Sequence, residues 1–266
     1  AAVPLLEKVL SGDNPLAKLH ALGALAGLGA LRPELTADAS KDSNSFVAER
    51  ACKLIEGMIA KNEGPVERWF ATLLDVIRTA KSPRTRYQAI LSVSSLAGLG
   101  FGEKTDVIDD NAIRAFAHVL NDTANPAAHA FRDAIASANT NIVAWTLGQL
   151  FDTVGHNEAG WLNMLPLIEV ASTRKVPDEL QGIAHEVATA PEKVRPQAIA
   201  AFAKGLKRAG ATLESVDARG ELAAVFADAL KSMNSTDSKV KIGAIELLGL
   251  TSSKEATAAL IQCLAK

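Results

Sequence analysis

Two short stretches of the sequence contain residue types that could bind a metal ion. His185 and Glu186 begin a pattern like HExxH, in which two histidines on one helix face bind zinc and the glutamate acts as a base. Thr189 stands where the second histidine is needed. Because one imidazole does not make a zinc site, we interpret this stretch as a solvated helix face.

The second stretch surrounds residues 155–160, which we interpret as a loop between two helices. Asp152, His156 and Glu158 lie in or beside this loop, and Trp161 follows it. An imidazole and carboxylates at short spacing could hold a metal ion, but no further residue completes a ligand set. We favour a polar loop in which Trp161 anchors the next helix, and we therefore expect no metal and no cofactor.

Nucleotide binding and cysteine chemistry have little support. The glycines between residues 98 and 102 follow no strand and do not fit GxGxxG, so they read as the end of a helix. Cys52 and Cys263 form no CxxC motif. We interpret both as small apolar residues of helices, and the sequence leaves open whether they form a disulfide.

The remaining candidates for acid–base chemistry are single and scattered. His20, His118 and His129 have no serine and aspartate nearby that would suggest a catalytic triad, although triads need not be local in sequence. The sequence therefore predicts no enzymatic activity for this chain itself, and it leaves the activity of a larger parent protein open.

Composition and charge narrow the class of partner. The 266 residues are 48% hydrophobic and only 5% aromatic, and the net charge is −2. Much of the apolar content is Ala and Leu, which favour helices, whereas a nucleic-acid binder usually shows a strong basic bias. The longest apolar run, residues 21–31, is much shorter than the roughly 20 residues that a membrane span needs. We expect no nucleic acid and no membrane span.

One short pattern recurs along the chain and predicts helix starts. A polar residue, often followed by proline, precedes a basic residue and then an alanine inside an apolar run. The copies begin at Asn14, Ser82, Asn125, Ala190 and Asp237. Asn, Ser and Asp cap helices through a side-chain oxygen, and proline suits the first helical position. Each copy should therefore open the second helix of a hairpin.

Amphipathic segments precede the copies and supply the first helices. Their apolar residues recur with the i, i+3, i+4, i+7 spacing of one helical face. These stripes are Leu5, Leu6, Val9 and Leu10; Phe70, Leu73, Leu74 and Ile77; Ile113, Phe116, Ala117 and Leu120; and Leu222, Val225, Phe226, Ala229 and Leu230. We also place Trp69 and Trp145 on apolar stripes and expect both in the core.

The stretch 5–29 and its parallels at 73–100 and 222–250 resemble HEAT repeats, which span about 40–47 residues. The resemblance implies an all-α fold, a right-handed α-α superhelix of about five to six helical hairpins. We expect one such solenoid over residues 1–266, with irregular insertions near 32–45 and 139–172. HEAT-like stacks serve as scaffolds, transport receptors and enzymes, so the resemblance does not fix the function.

A narrower resemblance suggests a cellular context. The segment 202–210 and the array 222–264 are similar to the HEAT region of large bacterial exported proteins, which pair a dehydrogenase-like domain with a cytochrome c domain. That resemblance implies a periplasmic or exported location, and otherwise we expect a cytoplasmic one. The helix near Lys254–Leu264 lacks the second helix of its hairpin, so we expect the chain to be a piece of a longer protein.

The repeat alignment also predicts a partner-binding surface. In a HEAT-like stack the second helices line the concave face, and polar residues opposite the core should form a mildly basic strip there. On the helix 82–99, Arg84, Gln88, Ser92 and Ser95 should share this face. The strip comprises His20, Arg84, Gln88, Lys193, Gln197, Lys204 and Lys239.

Two functions remain open at this point. The first is a non-catalytic scaffold module that binds a protein partner or neighbouring domains of the same chain. The second is a HEAT-fold enzyme of lyase-like or DNA-glycosylase-like type, which would need a concave pocket with tryptophan, aspartate and arginine. The alternative to a binding strip is ordinary solvated surface.

Overall fold

The computed structural model describes residues 2–61, 65–96, 105–122, 125–138, 140–154 and 157–264. Within these ranges every regular element is a helix, and none is a strand. The all-α helical repeat predicted from the sequence is therefore confirmed. No helix in the described ranges is both long enough and apolar enough to cross a membrane.

The chain divides into two compact units, Ala1–Ile142 and Val143–Lys266. The single solenoid expected over the whole chain stays a prediction. The first unit contains α1 (Ala2–Leu10), α2 (Pro15–Gly27), α3 (Pro33–Ser40), α4 (Ser45–Ala60), α5 (Val66–Thr79), α6 (Pro83–Leu96), α7 (Thr105–Asn121) and α8 (Ala128–Ala136).

The helices of the first unit pack as four successive pairs in two layers. Each odd-numbered helix contacts the even-numbered helix that follows it. The first helices α1, α3, α5 and α7 also contact one another in order, as do the second helices α2, α4, α6 and α8. Such neighbour-to-neighbour packing is the arrangement of a helical repeat protein.

The second unit continues the pattern with less regularity. It contains α9 (Thr140–Val154, which starts just before the boundary), α10 (Glu158–Ala171), α11 (Pro177–Thr189), α12 (Arg195–Arg208), the short α13 (Leu213–Val216), α14 (Glu221–Ser232), α15 (Ser238–Leu248) and α16 (Lys254–Leu264). Two pairs, α11 with α12 and α14 with α15, repeat the hairpin packing. The second helices α10, α12 and α15 contact in order, and α16 packs on α14 and α15.

The apolar stripes that the sequence predicts form much of the core. All four stripe residues of α5 and all four of α7 are buried. On α6, Ala89, Ile90 and Val93 are completely buried and Leu96 nearly so. A buried side chain of Leu, Ile or Phe stabilises the fold by about 1.5–3 kcal/mol, so these stripes carry most of the stability of the first unit.

The N-caps predicted at several helix starts are present. The side-chain oxygen of Asn14 accepts hydrogen bonds from the amides of Leu16 and Ala17, at 3.0 and 3.1 Å. Asp237 accepts from Lys239 N at 2.8 Å, and Ser82 Oγ accepts from the amide of Thr85. Each cap stabilises its helix by about 0.5–2 kcal/mol.

Two of the five helix starts lie later than predicted. Asn125 accepts a hydrogen bond from Ala127 N at 2.9 Å, which forms a turn, and α8 begins only at Ala128. Pro191 lies in a turn before α12, whose first turn contains Pro196 instead. In both copies the side chain that should cap the helix is used in the turn or is alanine.

Two second helices begin at caps that the repeated pattern does not include, although the sequence indicates extra helices in both intervals. Asn44 caps α4 through hydrogen bonds from Phe46 N and Val47 N, and Asn157 caps α10. These caps divide the two longest intervals between the predicted copies. The segments near 32–45 and 139–172, which we expected as irregular insertions, hold α3, α9 and α10.

Two apolar residues, Trp145 and Leu5, are more exposed than the sequence suggested. Trp145 is 43% exposed, because Val143, Leu147 and Leu150 form the buried face of α9 and Trp145 lies two residues away from that face. Trp69 is buried, as predicted. On α1 no residue is buried and Leu5 is 68% exposed.

Candidate functional site

The seven residues of the predicted strip lie on second helices of both units. His20 belongs to α2, and Arg84 and Gln88 belong to α6 in the first unit. In the second unit Gln197 and Lys204 lie on α12, Lys239 lies on α15, and Lys193 lies in the turn before α12. All are exposed except Gln88, which is half-buried. One continuous strip across the two units stays a prediction.

Arg84 forms an ion pair with Glu49 of the neighbouring helix α4. Its guanidinium also lies over the ring of Phe46, 4.5 Å from the ring centre. Phe46 itself is 54% exposed. Arg84 is therefore held between a carboxylate and an aromatic ring, and its charge is largely compensated.

A second carboxylate links the same two helices. Glu56 of α4 accepts hydrogen bonds from Ser92 Oγ at 2.7 Å and Ser95 Oγ at 2.9 Å, and Gln88 donates to Ser92 at 3.2 Å. Ser92 is completely buried. Its expected place on the open face beside Arg84 is wrong, because a small hydroxyl side chain there is covered by α4.

The second unit uses carboxylates in the same way. Lys193 pairs with Glu158 at 3.0 Å, and Glu169 pairs with both Lys204 at 2.8 Å and Arg208 at 2.6 Å. Glu169 lies twelve residues after the cap Asn157, as Glu56 lies twelve residues after the cap Asn44. The repeat thus places a glutamate where it can bond to the next second helix.

These ion pairs reduce the positive charge of the predicted strip. Exposed ion pairs contribute only about 0–1 kcal/mol to stability, so their main effect here is to neutralise Arg84, Lys193 and Lys204. Lys239 Nζ forms no ion pair with any residue that the structure describes. Within each unit, part of the predicted basic charge is therefore compensated by neighbouring carboxylates.

The sequence analysis missed two exposed apolar residues on this face. Leu16 is 62% exposed and Phe46 is 54% exposed. Both lie two residues after their cap asparagine, which is also the spacing of Arg84 from Ser82 and of Lys239 from Asp237. This shared position, two residues after the cap, predicts exposure whether the residue is charged or apolar, and it could have identified Leu16 and Phe46.

The candidate metal motifs do not assemble a site in the described residues. No group of three or more His, Cys, Asp or Glu side chains comes together there. His185 bonds to Glu221 at 3.1 Å, and the Thr189 hydroxyl donates to the backbone of His185. Burial raises the pKa of Glu186, with a further contribution from Asp152 and an opposing one from His185.

The loop candidate has other partners. Glu158 is occupied by its ion pair with Lys193, and Asp152 is exposed. Trp161 is buried against Phe151, with ring centres 5.6 Å apart. The anchoring role predicted for Trp161 is confirmed, whereas His156 lies outside the described residues, as do the glycines between 98 and 102.

Both cysteines are free thiols in this structure. Cys52 is completely buried on α4, as expected, and burial raises the pKa of its thiol to about 12. Cys263 is half-buried on α16. A thiol with a raised pKa is a poor nucleophile at neutral pH, so Cys52 contributes packing and not chemistry.

Comparison with known proteins adds little to this geometry. No protein-family model matches the chain, and no curated protein matches it. A solved crystal structure of an engineered protein, from the Northeast Structural Genomics Consortium, is 15% identical to the chain. The alignment covers 97% of this chain and 98% of that one, with a TM-score of 0.38.

Proposed function

We propose that this chain is a non-catalytic protein–protein interaction module of HEAT-like type. Its binding surface in the first unit is the second-helix face, which we define by Leu16, His20, Phe46, Arg84 and Gln88. The bound partner is a protein, either separate or a neighbouring domain of the same polypeptide.

The observation that carries the proposal is the pairing of exposed Phe46 with Arg84. Aromatic and arginine side chains are enriched among the residues that dominate binding energy. Phe46 presents half of its surface to solvent, and Glu49 and the ring hold Arg84 in place. Leu16, at the same repeat position, extends the apolar area onto α2.

The charges of this face favour a protein over nucleic acid. Binding to a phosphate backbone depends on many uncompensated cations. Arg84 is paired with Glu49, and the whole chain carries a net charge of −2. The enzyme alternative needs a concave pocket with tryptophan, aspartate and arginine; Trp69 and Trp161 are buried in the core, which leaves Trp145, 43% exposed, to line such a pocket.

Site-specific crosslinking tests the proposal. A photoreactive phenylalanine analogue at position 46 should crosslink a discrete protein from the native lysate, and Phe46→Glu should reduce recovery of that protein at least fivefold. Leu5→Glu is the matched control, because Leu5 is equally apolar and exposed but lies on the first-helix layer. Equal losses in both variants, or no discrete crosslink at position 46, would refute the proposed surface.

A further inference from the structure

A cleft of about 640 Å³ opens in the second unit between α12 and the pair α14–α15. Small residues make up part of its lining, namely Ala188, Ala224, Ala229, Gly243 and Ala244. Val240 and Ile242 lie at the cleft and are 41% and 56% exposed. The volume falls within the range of about 300–1,000 Å³ that ligand sites occupy.

The cleft exists because consecutive second helices separate at this junction. Between α10 and α12 the backbones approach closely at Gly205, where a Cβ would overlap the carbonyl oxygen of Glu169. At Gly243 of α15 a Cβ would meet nothing within 4 Å. The space beside Gly243 is therefore open to an added methyl group.

The polar link of the other junctions is also missing here. Between α10 and α12, Glu158 neutralises Lys193. The residues at the corresponding repeat positions are Glu192 and Lys239, and both line the cleft. They form no ion pair with each other or with any other side chain that the structure describes. Lys239 is therefore a cation without its carboxylate, beside the small residues of the cleft lining.

Glu192, Asp228 and Glu246 also line the cleft, and none of them forms an ion pair with Lys239. Arg195 donates to the backbone carbonyl of Ala190, and Asp228 pairs with Lys231. Glu246 lies seven residues further along α15, about two helical turns from Lys239. Lys239 also lies in the first turn of α15, where the helix dipole adds positive potential.

We infer that this cleft binds a peptide segment that inserts an apolar side chain over Gly243 and places a carboxylate beside Lys239. This inference rests on the proposed function, because it assigns a second and chemically defined peptide site to the interaction module. The carboxylate of the ligand takes the role that Glu158 has for Lys193. Apolar burial supplies affinity, and the charge pair supplies selectivity and faster encounter.

The probe is a helix-prone, twelve-residue fluorescent peptide of Ala and Leu that carries two glutamates, with a glutamine analogue as the neutral comparison. Binding to the full chain is measured by fluorescence anisotropy at low salt. The glutamate peptide should bind at least threefold tighter than the glutamine peptide. Lys239→Gln should abolish that difference without abolishing binding.

A second test fills the cleft with a larger side chain at position 243. Gly243→Leu should weaken both peptides about tenfold or more. Gly182→Leu is the control, since Gly182 is also helical and open around its Cβ position but is exposed and lies outside the cleft, whereas Gly243 is half-buried. Circular dichroism melting of both variants verifies that they fold.

Equal affinity for the two peptides, or equal binding by the Gly182→Leu and Gly243→Leu variants, would overturn the inference, as would absence of saturable binding to the parent chain. Phe46 lies in the other unit, so its crosslink is independent of the cleft. Failure of the cleft and failure of the proposed function are therefore separate results.

Discussion

The junction between α4 and α6 and the junction between α12 and α15 use the same repeat positions but differ in packing. In the first, Ala89 is completely buried, and Glu49 and Glu56 reach from α4 to three side chains of α6. In the second, Ala244 is buried beside an open cleft, and Lys239 has no carboxylate partner. A shared repeat motif thus sets where helices start, while large side chains and glutamates decide how closely they pack.

The largest expected effect is a difference in the free energy of unfolding between aspartate substitutions at Ala89 and at Ala244. Ala89→Asp should lower the free energy of unfolding by roughly 3–5 kcal/mol, because it buries an unpaired charge. Ala244→Asp should cost clearly less, since its carboxylate can reach the cleft and water. Urea denaturation of the two variants measures the difference, with Ala80→Asp, at a half-buried helix end, as a reference. Equal losses at positions 89 and 244 would show that the cleft is closed in solution.

Smaller effects, opposite in sign at the two positions, are expected when Gly205 and Gly243 are replaced by alanine. Gly205→Ala should destabilise the chain by roughly 1–3 kcal/mol through overpacking, because its Cβ would overlap Glu169 and lie 2.6 Å from Ser172 Cβ. Gly243→Ala should stabilise it by up to about 1 kcal/mol through helix propensity. Thermal melting distinguishes the two outcomes, and a destabilising Gly243→Ala would contradict the open junction.

The smallest expected effect concerns Glu214, which links α13 to the segment between α15 and α16. Burial alone would raise the pKa of Glu214, but hydrogen bonds from its own amide, Thr251 and Ser252 outweigh burial and lower the pKa to about 2. Since the unfolded pKa of glutamate is about 4.3, the stabilisation is complete above that pH and is lost as the pH falls to about 2. These hydrogen bonds of Glu214 add a link within the second unit, which also contains the open junction between α12 and α15.

Glu214→Gln should therefore reduce stability at pH 7 and have little effect at pH 2. Urea denaturation at several pH values, parent against variant, measures this difference. Thr251→Val should reduce the same pH-dependent part, because it removes one donor to Glu214. A stability difference that does not change with pH would show that Glu214 is not held by these bonds.

The sequence predicted most of the helices and much less of the surface. The apolar stripes of α5 and α7, and the caps at Asn14, Ser82 and Asp237, follow from local periodicity and hydrogen-bonding chemistry. Asn44 and Asn157 were not singled out as caps because neither a proline nor a basic residue follows them within four positions. The distance from each of these asparagines to the apolar run that follows it also marks a helix start.

The candidate surface was predicted in position but not in charge. Helical periodicity predicts most of the outward-facing residues, and all strip residues except half-buried Gln88 are exposed, but Ser92 is buried because α4 covers it. Whether Arg84, Lys193 and Lys204 are free depends on the preceding second helix, which lies about 35 residues away in sequence. A pattern of a few neighbouring residues cannot show which carboxylate the preceding second helix supplies.

By itself the sequence determined that this chain is all-α and where the helices capped by Asn14, Ser82 and Asp237 begin, because helix periodicity and capping act within a few residues. Only the tertiary structure decided that Glu56 and Glu169 bridge adjacent helices, that Phe46 stays exposed, and that a cleft opens beside Gly243. These features depend on the distance between helix axes. That distance is set by the summed volume of side chains from separate parts of the chain.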